Sequence, residues 1–207
     1  MKKTAFVLLC ASVMAGCISW VMAKSDFTDM PEGTYTLDET HASLVWKVSH
    51  MGLSNYTALF TEFDASIAFD PADISQSRVT ATVDANSVET HYPHPKETDF
   101  NAELANSDSW FNAKQYPVIR FESTDIEMHS ARQASMTGNL TMRGVTKPVT
   151  FDVTLNGAMA LQPLSGKPTL GFSATTTLNR SDWGMTKHIP TVGDAVTVTI
   201  EAEFARQ

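Results

Sequence analysis

His91 and His94 stand three residues apart, just ahead of Glu97 and Asp99. Nitrogen and oxygen donors at that spacing are what a divalent metal ion needs. Pro93 and Pro95 interrupt the stretch, so neither a helix nor a strand fixes the donors, and a solvated loop is the better reading. The other histidines, His41, His50, His129 and His188, follow no motif. No serine sits in a nucleophile elbow, and the stretch from Gly138 to Gly144 lacks the Lys-Ser/Thr ending of a phosphate-binding loop. Both cysteines, Cys10 and Cys17, fall within the first 23 residues, so a chain cut after Ala23 has no thiol for catalysis or cross-linking. Asp38, His41 and Arg180 either contact a polar ligand group or satisfy backbone at strand ends; buried polar groups need partners, which favours the second role. No catalytic residue, metal ligand or cofactor is therefore assigned.

The segments around these residues are of two kinds. Lys2 and Lys3 precede an uncharged, mostly apolar run to Ala23, the layout of a secretory signal peptide with Val21 and Ala23 at the −3 and −1 positions. Cleavage there gives a soluble mature chain starting at Lys24, and a periplasmic location is expected. Met14-Ala15-Gly16-Cys17 offers an alternative, a lipobox-like site that would tether the protein through a lipid on Cys17. The 207 residues carry a net charge of −8, which becomes −10 without Lys2 and Lys3 and argues against nucleic-acid binding. No apolar run after residue 23 reaches the ~20 residues of a spanning helix.

Beyond a short extension over 24–33, apolar residues recur at every second position, the mark of strands with one buried face. Leu44, Trp46 and Val48 begin the pattern, which returns in Val79–Ala85, Met136–Met142, Val149–Leu155, Leu170–Leu178 and Val196–Phe204. Tyr56, Ala58 and Phe60 keep one phase while Phe63, Ala65, Ile67 and Phe69 keep the other, so a bend or bulge is expected at Thr61 and Glu62. Alternation disappears from Thr90 to Tyr116, where short helical structure is expected over 97–114. About eight strands over 34–206 predict an all-β protein, a single antiparallel barrel whose closure removes exposed edges.

Several groups in this pattern resemble the YceI-like family, periplasmic lipocalin-like proteins that bind polyisoprenoid lipids. They are Tyr35, Asp38, His41 and Ser43 leading to His50 and Gly52; Phe60, Phe63 and Phe69; Asp99 through Trp110 and Phe111; Gly138 to Pro148; and Arg180, Asp182, Trp183 and Gly184. Ala58 departs from the glycine usual there, a change expected to narrow the entrance or lumen. The resemblance implies a lipocalin-like barrel and a non-enzymatic carrier or storage protein for a long-chain polyisoprenoid, an isoprenoid quinone or polyprenyl phosphate. The alternatives are an enzyme acting on such lipids and a packed barrel without ligand. The residues expected to contact the lipid are Leu44, Trp46, Val48, Tyr56, Phe60, Val83, Leu140, Phe151, Phe172 and Val198. Tail length should govern affinity more than headgroup. Transient membrane contact and a homodimer are both compatible with the sequence, which specifies neither.

Overall fold

The computed structural model describes residues 22–24, 26–27 and 29–207. The run expected to be a signal peptide lies, up to Val21 and with Cys10 and Cys17, outside the described residues. Ten strands form one antiparallel sheet: β1 (Gly33–His50), β2 (Ser54–Phe60), β3 (Phe63–Phe69), β4 (Arg78–Asp84), β5 (Val88–Glu89), β6 (Val118–Met128), β7 (Gln133–Met142), β8 (Val145–Met159), β9 (Thr169–Asn179) and β10 (Val192–Arg206). The sheet closes because β1 pairs with β10 from Tyr35↔Arg206 to His50↔Val192. β2 and β3 run end to end against different halves of β1, and β4 and β5 continue one another in the same way. The result is an eight-stave barrel, as the periodicity predicts. The interruption between β2 and β3 falls at Thr61 and Glu62, where the apolar phase changes.

Bulges account for the places where strands outrun the sequence pattern. One extra residue at Thr124 shifts β6 against β7, so Phe121 and Ile126 both face inward although they lie on opposite phases, and β6 continues to Met128. In β8 the register shifts between Leu155 and Gly157. Asn156-Gly157 reads as a turn in the sequence but is a bulge inside the strand, and the chain turns only at 160–168. The tight β7–β8 hairpin is made by Arg143 (φ 52°) and Gly144 (φ 74°), the pair of left-handed residues that matches the twist of antiparallel strands.

The two barrel ends differ. At one end Tyr35 and Leu170 are fully buried with Phe69, Phe204 and Met30, and Phe27 packs 5.4 Å from the Phe69 ring. The extension is held there by a two-way backbone bridge between Lys24 and Ala158, each N–H donating to the other's carbonyl at 2.8 Å. Gly157 permits this approach, since a Cβ on it would meet the Ala23 Cβ at 2.4 Å. At the other end the excursion from Thr90 to Tyr116 contains one helix, α1 (Phe100–Asn106), within the expected span. Asp99 caps it by accepting from the Ala102 N–H at 2.9 Å, a bond that satisfies one of the helix's free amides. Asn101 ties it to β5, accepting from Thr90 Oγ1 at 2.6 Å and donating to Glu89 at 3.0 Å. No helix among the described residues is long and apolar enough to cross a membrane.

Candidate functional site

Successive side chains of a strand point to opposite faces, so the alternating apolar residues of all eight staves converge on the barrel axis. They enclose a cavity of about 640 Å³. All ten residues named from the sequence lie on its wall: Leu44, Trp46, Val48, Tyr56, Phe60, Val83, Leu140, Phe151, Phe172 and Val198. Phe27, Phe100, Trp110, Phe111 and Met185 join them from the extension, α1 and the loops. No strand periodicity covers those segments. Ala58 is buried opposite Trp46, on the same inward face as Tyr56 and Phe60.

Polar lining groups gather at the ends. Near α1 these are His50, Ser54, Glu103, His188 and Arg180; at the opposite end they are Ser77, beside the start of β4, and Arg132 and Gln133 of the β6–β7 hairpin. Arg180 is only 5% exposed, and each nitrogen of its guanidinium donates to backbone. Nε donates to the Gly193 carbonyl at 2.8 Å, Nη1 to Met185 at 2.6 Å, and Nη2 to Lys187 and Val192 at 2.8 and 3.0 Å. Burial lowers its pKa while Asp194 pulls the other way. Arg180 thus shapes the 185–193 loop, the structural role favoured from the sequence.

An aromatic collar surrounds the α1 end. Trp46 lies 6.5 Å from both Tyr56 and Phe111, Tyr56 is 5.9 Å from Phe100, and Phe100 is 5.5 Å from Tyr92. The Trp110 ring is held by Arg180 and Lys187, 5.4 and 5.6 Å from its centroid, within the range of cation–π attraction. Lys187 also reaches Glu103 of α1 at 3.4 Å, linking the helix to the 185–193 loop.

The polar residues singled out elsewhere do not join the lumen. His91 is exposed beside Glu89, 3.7 Å away, and His94 is exposed in the same loop. Asp38 and His41 sit in a wide bulge of β1, where the register against β10 jumps between Leu37 and Ala42. Asp38 accepts from the Thr40 backbone and hydroxyl at 3.0 and 2.6 Å and bonds His41 Nδ1 at 2.9 Å. Hydrogen bonds from Thr40 and then His41 lower the Asp38 pKa, and the bond to Asp38 raises that of His41. With Glu203 they form the one group of three metal-type ligands among the described residues, in which Asp38 and His41 are bonded to each other.

A closed antiparallel barrel around an apolar chamber defines a lipocalin-like class of protein. Within it, residues 35–204 match the YceI-like domain, and the chain belongs to that family. A "UPF0312 protein" of Pseudomonas putida is 35% identical over 153 residues, 73% of this chain and 76% of the relative. The crystal structure of Burkholderia cenocepacia BcnA superposes with a TM-score of 0.69 at 26% identity, covering 81% of this chain and 98% of that one. A polyisoprenoid binding domain from Saccharophagus degradans, implicated in plant cell wall breakdown, shares the fold with a TM-score of 0.61 at 16% identity, covering 84% and 98%.

Proposed function

We propose that this protein is a non-enzymatic carrier or storage protein for a long-chain isoprenoid lipid, exported to the periplasm and holding the lipid tail inside the barrel. The observation that carries this reading is the continuous apolar lumen, to which every stave contributes. Taking about 30 Å³ for each water-sized group, the cavity holds about twenty carbon groups, or about four isoprene units. Burying one five-carbon unit gains roughly 4 kcal/mol at about 0.8 kcal/mol per carbon group, so four give on the order of 16 kcal/mol. Association costs about 4–15 kcal/mol, so tails shorter than about four units should bind weakly. The polyisoprenoid-binding domain of Saccharophagus degradans, which shares the fold, adds support for the ligand class.

Titration with isoprenoid quinones of one to six units tests the reading directly. Affinity should rise with each unit up to about four and then level off. Binding independent of the tail, or none, refutes the proposal. Mass spectrometry of lipids extracted from the purified protein identifies the natural occupant.

A further inference from the structure

The extension ahead of β1 crosses the plugged end of the barrel. Lys24 is bridged to Ala158 of β8 while Gly33 opens β1, and around the ring those staves stand three steps apart, with β9 and β10 between them. Met30 is buried in the plug and the Tyr35 hydroxyl donates to the Pro31 carbonyl at 2.8 Å, so the crossing is held at both ends. Phe27 is the residue of this extension that lines the chamber. Its ring lies 5.4 Å from that of Phe69 on β3 and 6.3 Å from that of Phe172 on β9. These two staves are also three steps apart, on either side of β1 and β10, so a side chain touching both reaches across the interior and not along one wall. Tyr35 and Leu170 of the same cluster are fully buried and do not line the chamber, so on this side the apolar space ends at Phe27.

We infer that the Phe27 ring is the floor of the chamber and sets the longest isoprenoid tail that the barrel encloses. The inference rests on the carrier reading and deepens it, because it names the residue that fixes the length limit. A tail gains affinity only while each added carbon group leaves water for apolar surroundings. The terminal methyl groups of an isoprenoid carry no polar atom, and the rings of Phe27, Phe69 and Phe172 meet them with apolar surface. Phe69 and Phe172 belong to strands, where a change of side chain also disturbs the sheet. Phe27 stands outside the sheet, so its size changes the depth of the chamber and leaves the staves paired. The polar lining groups of this end, Ser77, Arg132 and Gln133, lie on the side of the ring formed by β4, β6 and β7. Met128, Arg132 and Gln133 line the chamber there and are exposed, which makes that side the alternative path for a tail.

The test measures affinity for quinones of three to six isoprene units. In the parent the four- and five-unit probes should bind within about twofold of each other, since the fifth unit finds no apolar space. Phe27→Ala removes about six carbon groups of about 30 Å³ each and makes room for about one more unit. The five-unit probe should then bind at least about tenfold more tightly than the four-unit one, and Phe27→Leu should give an intermediate ratio. A limit unchanged in Phe27→Ala means that strand residues stop the tail or that it leaves beside Met128, and overturns the assignment. Affinity still rising at six units means that the whole extension has come away and the limit is not set by the ring, which overturns it likewise. A second measurement needs no substitution: a four-unit quinone with a diazirine at the far end of its tail should, on photolysis in the parent, label Phe27 or its neighbours Phe69 and Phe172. Labelling confined to the α1 end overturns the assignment while the carrier reading stands. Parent affinity independent of tail length, or no binding, overturns the carrier reading itself.

Discussion

Replacing Arg180 with Met keeps most of the side chain's length and apolar contact but strips donors from the carbonyls of Met185, Lys187, Val192 and Gly193. Each charge-assisted bond is worth about 1.5–3 kcal/mol, so the four together set an upper bound near 12 kcal/mol. Losing the buried cation removes its desolvation cost, and part of the loop can turn its carbonyls to water. Stripping one partner from a buried charged network costs about 3–5 kcal/mol, and that is the net loss expected here. For a domain of this size each kcal/mol moves Tm by about 2–4 °C, so Tm should fall by roughly 6–20 °C. Arg180→Lys should recover part of the loss, because an ammonium lacks the planar fork that reaches carbonyls on both sides. Denaturant titration with an unchanged m value and a parallel thermal scan provide the assay. Met185, His188 and Val192 line the lumen from this loop, so affinity for a four-isoprene quinone should fall as well. A Met variant within about 1 kcal/mol of the parent would refute the account, since the carbonyls would then have found other donors.

Val198 faces the lumen beside Trp46 in the β1–β10 pair, and Val198→Phe adds about four carbon groups of about 30 Å³ each, so the preferred tail should shorten by about one isoprene unit. An unchanged optimum across the quinone series would show that the tail does not pass this point. A Cβ at Gly138 would lie 2.4 Å from the Phe121 ring and 2.5 Å from the Glu122 carbonyl, so Gly138→Ala should cost about 1–3 kcal/mol in chemical denaturation. His41 should titrate above its ordinary value by NMR, and Asp38→Asn should remove most of that rise, with Glu203 keeping the remainder. Its raised pKa gives stability below the ordinary imidazole pKa that is lost as pH rises through the raised value. Asp38's lowered pKa gives stability above the ordinary carboxyl pKa that is lost as pH falls through the lowered value. The β1 bulge should thus be most tightly held between about pH 4 and 6.5, and amide exchange at Thr40 followed against pH checks this.

Staves and lumen wall were legible because both follow from period two: a residue such as Phe151 or Val198 is placed by its neighbours in the same strand. The phase change between Phe60 and Phe63 marked a break for the same reason. What escaped were features without a local period. Bulges at Thr124 and Asn156 restart the alternation on the other phase, so Ile126 and Ala158 looked unrelated to the strands they extend. Phe27, Phe100 and Trp110 reach the lumen from outside the strands, and only the closed barrel brings them there. Asn101's hold on Thr90 and Glu89 joins residues 11 and 12 positions apart across a loop, beyond the reach of a sequence pattern.

Closure of the ring by β1 and β10 bears on the order of events during synthesis. The strand starting at Gly33 meets the partner that completes the barrel only in the strand ending at Arg206, and the β1–β10 ladder is a long one. Pairing so remote in the chain makes folding slow, because loop-closure entropy is lost before the contacts form. Until β10 emerges from the ribosome, β1 and β9 are both open edges and the apolar faces have no enclosed interior. A chain threaded unfolded through a membrane channel would gain from this arrangement, since no closed barrel can form before the fifteen residues of β10 are made. The same delay leaves the edges of β1 and β9 unpaired until β10 is made, an interval in which a holding chaperone would suppress edge-to-edge association.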